Sequence, residues 1–592
     1  MMIQKNTIVT KYNQTEIDKR YDFFLIKKDF SKKKPSARLL DEPVLEGKVL
    51  AVQYTSGNSF IVMLNKSKDN KAVIKGIILK YNAENDNDLS FEPLSFPFDK
   101  QYEHSLLQLL FNSLASLPPN DGASNIGGKL LYFCRKSKKQ IVCIELHISK
   151  NYVLSLNVKT FTMHTGIDNA KCYILQSNNT LRLKTDNEKD KNCYIKSEFK
   201  GTKNVVPFVE TSDSEHFNKT KMGILTKIVK KFHKAYGNLV KLSFATESDW
   251  KKVVPDAAFP TKKRHLDLLK TVFAGKKIVI IDTIENNESK QLCQNIVNNL
   301  NNFFCGETNI EIKKRLSKND FNIRIIHNKH YFEINEEEKD NHKVFDDRVV
   351  QHITIEDFSL KDTEELTANC LVVLNELLVK YDLLTTHKIS LTKWSYEKDW
   401  TFCLDTDENE SDEMKSFLFM RIKPDGCFEI NTISKDLFNY NEYNIIDEYF
   451  KSGKKCRGLI INENGEMNII QDTDLFMMPN FEKISSDISN EKSLSRSQQV
   501  VEDYFAGCID IHYKEDNNVG YYSSGVISKG MNTKIENATH IRKITPSENS
   551  SLFFSKIIET MNVSFVRNGQ LTVLPFPFKY LREFAKIAEA KN

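Results

Sequence analysis

At 592 residues the chain is too long for a single hydrophobic core and predicts about three to five structural units. Its 40% hydrophobic and 28% charged residues are ordinary for a globular protein, and no apolar run approaches the ~18 residues that cross a bilayer. A net charge of +5 decides nothing alone, but lysines cluster while acids gather in stretches such as 335–341 and 405–413, a distribution compatible with a polyanionic partner. None of the eleven cysteines forms a CxxC pair and several sit inside apolar runs, which argues against a zinc ribbon or disulfide framework. The opening MMIQKNTIVTKYNQ lacks the basic-then-apolar layout of a signal peptide, so a cytoplasmic protein without membrane contact is expected.

The first ~120 residues predict a β-rich domain (1–120). KVLAVQY (48–54), FIVMLN (60–65) and AVIKGIILKY (72–81) are expected as strands, with a helix over 104–116. PPNDGASNIGGK (118–129) reads as a flexible turn-rich linker; its glycines lack phosphate-loop spacing and a strand follows where a helix is required. A second region (121–260) predicts strands at 129–136, 141–148 and 152–162. It also predicts an amphipathic helix from Lys219 to Tyr236, with Met222, Leu225, Val229, Phe232 and Tyr236 as its apolar stripe. The opposite faces carry Lys219, Lys221, Lys227, Lys230, Lys231 and Lys234, either a solvated basic face or a surface for a phosphate backbone.

The third region (261–385) is the most informative. KIVIIDT (277–283) has the profile of a buried strand. Leu292, Ile296, Leu300 and Phe303 give a helix, IEIKKRL (310–316) alternates, and NIRIIHNKHYFE (322–333) resumes a strand before a basic loop. Strands alternating with a helix predict a small Rossmann-like α/β sheet, whose ligands sit beyond the carboxyl ends of the strands. Arg324, His327, Lys329, His330 and Tyr331 are suited to holding a phosphate there. HxxH at a strand-to-loop transition lacks the i, i+4 geometry of a helical metal site, so phosphate contact or plain surface histidines are the better readings of His327 and His330. DRVVQHITIEDF (347–358) predicts another strand. A helix follows, opened by an Asp362-x-x-Glu365 capping box and buried through Leu366, Cys370, Val373, Leu377 and Tyr381.

The last region (386–592) predicts a strand ending in acids (401–408), a hairpin through Pro424-Asp425-Gly426 and a strand pair over 457–470. Another hairpin (507–527) and a closing strand and helix complete it, with further helices near 442–450 and 491–504. Two-metal phosphodiester cleavage needs converging carboxylates, and Asp405, Asp407, Glu463 and Asp510 are the candidates at or near strand ends. Acids at strand ends are also common surface residues.

Over about residues 150–592 the chain resembles the Argonaute/PIWI superfamily, in a prokaryotic form. VLSLNVKTFT and KTKMGILTKIVKKF are similar to the linkers that precede the middle domain. KIVIIDT to HNKHYFE resembles the MID domain, and FVRNGQ with LPFPFKYLREFA resembles the close of the PIWI domain. The resemblance implies an α/β multidomain chain: a β-rich N-terminal part, a Rossmann-like MID-type domain and a C-terminal RNase H-like domain. It also implies a protein that binds a short guide nucleic acid and a complementary target strand in prokaryotic defence against plasmids or phage. Lys329, Tyr331 and Gln351 are nearest the guide-phosphate signature, and Lys329, His330 and Gln351 would hold the guide phosphate; the lysines of 219–234, Arg567 and Lys579 would track the backbone. Where cutting members carry an aspartate after a central strand, GLIIN ends in Asn-Glu-Asn-Gly, and Arg567-Asn568 stands where a final ligand is sought. The reading is therefore an inactive recogniser that recruits an effector protein such as a nuclease, helicase or NADase, with Mg²⁺ at the guide phosphate or the acidic set. The alternatives are a metal-dependent nuclease with an RNase H-like active site, and a scaffold that binds no nucleic acid.

Overall fold

The computed structural model describes residues 2–28, 44, 47–55, 59–85, 89–118, 122–137, 139–164, 172–184, 193–197, 206–252, 262–335, 337–358, 366–392, 394, 396–405, 416–434, 456–490, 504–508, 511–523, 534–561 and 574–589. The chain divides into two compact units. One comprises 1–248, 474–508 and 529–539; the other comprises 249–473, 509–528 and 540–592.

In the first unit, four antiparallel strands run in the order Ala51–Tyr54, Ser59–Asn65, Tyr21–Lys28, Leu89–Leu94. The stretch expected as a third strand, 72–81, is instead part of a helix, Asn70–Asn85. Ile74, Ile78 and Tyr81 recur four and three residues apart and are all buried in one cluster with Phe24, Val52 and Phe60, so the helical period won over the apolar run. A seven-stranded sheet follows between Ala123 and Ser197. Its first hairpin corrects the expected linker: Ala123–Ile126 pairs with Lys129–Lys136, and Gly127 and Gly128 form the two-residue turn at φ 61° and 72°. Positive φ at both positions is what such a turn requires, and a Cβ on Gly128 would lie 2.8 Å from the Tyr54 backbone nitrogen.

The helix Ser105–Ser113 is buried along its whole length, and two of its polar side chains satisfy backbone around it. Asn112 donates to the Val52 and Gly128 carbonyls, and Gln108 accepts from the Ile148 amide. The Lys221–Tyr236 helix is buried on more than the expected stripe, since Gly223, Ile224, Thr226 and Ile228 are covered as well.

In the second unit, four parallel strands run in the order Asn309–Ile312, Lys277–Asp282, Phe321–Ile326, Val350–Thr354. The order places the second strand outside the first and the third and fourth on its other side, so the small α/β sheet expected from the sequence is a parallel one. Asp282 ends the first strand and turns the chain into the helix Asn287–Phe304: its carboxylate accepts from the Ile284 and Glu285 amides and from the Ser289 hydroxyl. The expected basic loop is a short helix, Lys329–Ile334, capped by Asn328. The helix Ala368–Tyr381 is capped by Thr367; the proposed capping box at Asp362 and Glu365 lies outside the described residues, as do the helix expected near 442–450 and, apart from Tyr504, the one expected near 491–504.

The same unit holds a longer sheet in which Trp400–Asp405 pairs antiparallel with both Ser416–Ile422 and Cys456–Ile461, and His512–Asp516 forms a hairpin with Val519–Ser523. One continuous core, from Leu269 to Ile587, joins the parallel sheet, this sheet and the closing helix Pro577–Glu589.

Asp382 fastens that closing helix. It begins a π-helical turn after Tyr381, is fully buried, and accepts from the Tyr580 hydroxyl (2.7 Å), the Ser390 amide (2.8 Å), the Ser390 hydroxyl (2.6 Å) and the Thr386 hydroxyl (3.2 Å). Replacing it with alanine leaves the buried Tyr580 and Ser390 donors unsatisfied, so Asp382→Ala should cost about 3 kcal/mol. All three tryptophans belong to this unit. Urea unfolding followed by their fluorescence therefore reports the loss directly, and an unshifted midpoint would refute the role.

Candidate functional site

The residues at the carboxyl ends of the parallel strands are committed to one another. His327 Nδ1 lies 2.6 Å from Glu356, and its ring stacks on Tyr331 at 3.6 Å and 7°. The Tyr331 hydroxyl donates to Glu338 (2.8 Å), exposed His330 pairs with Glu333 (3.1 Å), and Arg324 donates to the Asn341 carbonyl (2.7 Å). Lys329 is exposed on the same short helix.

A cavity of about 290 Å³ lies elsewhere, beside the edge strand Val350–Thr354. Three regular elements build it, together with Lys343, Val344 and Phe345 from the segment leading into the strand. The strand contributes Gln351 and His352, the helix Ala368–Tyr381 contributes Glu376 and Lys380, and the closing helix contributes Lys579, Glu583 and Lys586. The last three recur at i, i+4 and i+7, which puts them on one face of a helix. Lys380 donates to the Val350 carbonyl and to Gln351 Oε1, both at 2.7 Å. Lys579 bridges Glu376 (2.8 Å) and Glu583 (3.0 Å), and Lys586 reaches Glu583 at 2.9 Å.

Burial sets the electrostatics. It pulls the Lys380 ammonium below the usual lysine range, with Glu583 and Glu376 opposing it. Burial alone would also lower Lys579, but Glu376 and Glu583 outweigh it and raise that group. Burial would push the Glu583 carboxyl up; Lys579, Lys586 and Lys380 reverse this and hold it down at about 2. Both carboxylates in the cavity are already engaged by lysine, so the donor set does not fit Mg²⁺; what it offers a ligand is ammonium and amide hydrogen.

Of the residues expected to bind nucleic acid, the fold brings Gln351 and Lys579 into this cavity, while Arg324, His327, Lys329, His330 and Tyr331 are not among its lining. Lys380, Lys586 and His352 were missed. Lys380 had a signal: it stands three residues after Leu377, on the apolar stripe of its helix, where a lysine must find buried partners.

Of the six lysines of the basic helix and its lead-in in the first unit, Lys219, Lys227, Lys230 and Lys234 are exposed, and Lys221 and Lys231 are half-buried. Lys231 donates to the Leu114 and Leu117 carbonyls (2.8 and 3.0 Å), satisfying chain just beyond the Ser105–Ser113 helix. Lys230 approaches the Ser485 hydroxyl at 3.5 Å, Lys227 approaches the Asn218 carbonyl at 3.4 Å, and Lys227, Lys230 and Lys234 are exposed. Arg567 lies outside the described residues, as do Asp407 and Asp510.

The acidic set does not converge where it can be followed. Cys403 pairs with Leu459 and Thr401 with Ile461, so Asp405 and Glu463 lie at opposite ends of an antiparallel pair. At strand rise this separates them by about 15–20 Å, against the ~4 Å spacing of two catalytic metals. Glu463 is paired with Lys556 (2.9 Å). Asp472 of the adjacent strand is clamped by Arg457 and Arg542. Among the described residues, no three His, Cys, Asp or Glu side chains group to hold a metal ion.

No protein-family model and no curated protein matches the chain. Among solved structures, Clostridium butyricum Argonaute bound to a guide DNA (5′ deoxycytidine) and a 19-mer target DNA superposes with a TM-score of 0.50. The match covers all of this chain and 98% of that one at 10% identity. The chain has an Argonaute-like fold. At that identity the likeness shows the fold alone and says nothing of the chemistry of a site. No helix among the described residues is long and apolar enough to cross a membrane.

The charge cluster has a pH signature. Glu583 is held below its ordinary 4.5, so its ionised form contributes stability above that value, and the contribution is lost as pH falls toward about 2. The stability difference between wild type and Glu583→Gln should approach about 3 kcal/mol above pH 5 and shrink steadily below it. A difference that is flat with pH in urea titrations would refute the pairing.

Proposed function

We propose that this chain holds a short single-stranded guide by a terminal phosphate monoester in the Lys380 cavity and presents it to a complementary strand. The observation that carries this reading is the convergence of Lys380, Lys579 and Lys586 with Gln351 in one cavity. A phosphate dianion entering there can replace the Gln351 oxygen and the glutamates as acceptor for these donors. The guide and target DNA of the Clostridium butyricum Argonaute support a strand of this kind. On this reading the parallel-sheet region takes the part of a MID domain and the antiparallel sheet that of the PIWI region. The exposed Lys227, Lys230 and Lys234 are left for weaker backbone contacts.

The protein recognises without cutting on this reading, since Asp405 and Glu463 face opposite ends of a strand pair and Asp472 is neutralised by two arginines. A recogniser that does not cut needs an effector protein to act on what it finds, which suits defence against plasmids or phage.

Two measurements test this. A 5′-phosphorylated DNA strand should bind about 10–100-fold tighter than its 5′-hydroxyl twin, the worth of one or two charge-assisted hydrogen bonds, and Lys380→Met should erase that preference. Equal affinity for the two ends refutes the reading. Guide-loaded protein supplied with Mn²⁺ should leave a complementary strand intact; cleavage abolished by Asp405→Ala would overturn the non-cutting part.

A further inference from the structure

One group in the cavity is left out of its ion pairs. His352 lines the cavity, and its Nε2 atom is buried without a hydrogen-bond partner. Its ring stands edge-on to His342 and Phe345, with centroids 6.2 and 6.4 Å away. A buried imidazole nitrogen without a partner is costly, and the cost is recovered if a ligand supplies the partner.

Charged groups face this ring from every element packed around it. Arg324 is its neighbour in register on the adjoining strand. Lys380 and Glu376 come from the helix Ala368–Tyr381, and Lys579, Glu583 and Lys586 from the closing helix. His342 and Lys343 come from the segment leading into the strand. Cations outnumber carboxylates, and burial, followed by Lys380, Arg324 and His342, holds the ring down at about 4, neutral at physiological pH. A phosphate dianion reverses both conditions, bringing negative charge to the ring and an acceptor to Nε2.

We propose that His352 takes up a proton from solvent when a terminal phosphate monoester enters the cavity, and that the imidazolium then donates from Nε2 to a phosphate oxygen. The inference rests on the terminal-phosphate reading above. Only the ring N–H bond forms, and the proton comes from water or buffer. The sign follows: the ring is neutral in the free protein and charged in the complex, so affinity rises as pH falls through the value for the complex. The limit is tenfold per pH unit for one proton.

The test is calorimetry on the full chain with a short 5′-phosphorylated DNA, at about pH 7, in phosphate-free buffers of unlike ionisation enthalpy. The second pKa of the strand's phosphate, near 6, affects wild type and His352→Gln alike, so their difference isolates the ring. Per strand bound, wild type should take up more protons than His352→Gln does, by about half a proton or more, and the affinity of His352→Gln should be nearly flat from pH 8 to 6. Should His352→Gln unfold, the same count on wild type with a 5′-hydroxyl strand replaces it, and the uptake should vanish. Equal proton counts with phosphate preference intact would overturn the role of His352 and leave the phosphate site standing. Loss of any preference for the phosphorylated end would remove both.

Discussion

The second unit is organised around the burial of one ammonium group. Lys380 sits at the inner end of a helix whose other faces are core, and a charge placed there must be met by acceptors or neutralised. The fold meets it with the Val350 carbonyl and Gln351, and surrounds it with two carboxylates that Lys579 and Lys586 in turn hold. Every group in that cluster is satisfied by another, yet the cluster keeps an excess of positive charge. On the proposed reading, that excess is what the cavity uses. An anion that can outcompete internal acceptors finds donors already oriented, so little reorganisation opposes binding.

The same logic explains what the longer sheet does not do. Among the described residues, Asp405 and Glu463 are not gathered at one end of the central strands. The antiparallel run from Trp400–Asp405 to Cys456–Ile461 carries Asp405 and Glu463 apart, and Asp472 is spent on Arg457 and Arg542. Arginine pairs of this kind hold a carboxylate by both oxygens and offset the negative charge that a divalent ion would seek. Among the described residues the lysine-lined cavity is a formed site, whereas no three acids of the longer sheet group to hold a metal ion.

Much of the second unit was legible from the sequence because local pattern and tertiary demand agree there. KIVIIDT is buried on both faces as a central parallel strand must be, and the Leu292–Phe303 stripe lies on the core as its spacing requires. The pattern failed where two periods fit one run. Residues 72–81 are apolar enough for a strand, and only the sheet they cover decides for the helix. Two adjacent glycines read as slack became a tight turn because a strand on each side imposed positive φ.

By itself the sequence determined most strand and helix periods, the presence of a small α/β sheet and of basic residues near it, since these follow from side-chain chemistry a few residues apart. Only the tertiary structure decided which cations act together. Lys329 and His330 were closest in sequence to the strand ends but pair locally or face solvent, whereas Gln351, Lys380 and Lys579 are separated by up to some two hundred residues and meet across three elements. Electrostatic cooperation depends on distance in space and on exclusion of water, and neither is written in the order of residues along a chain.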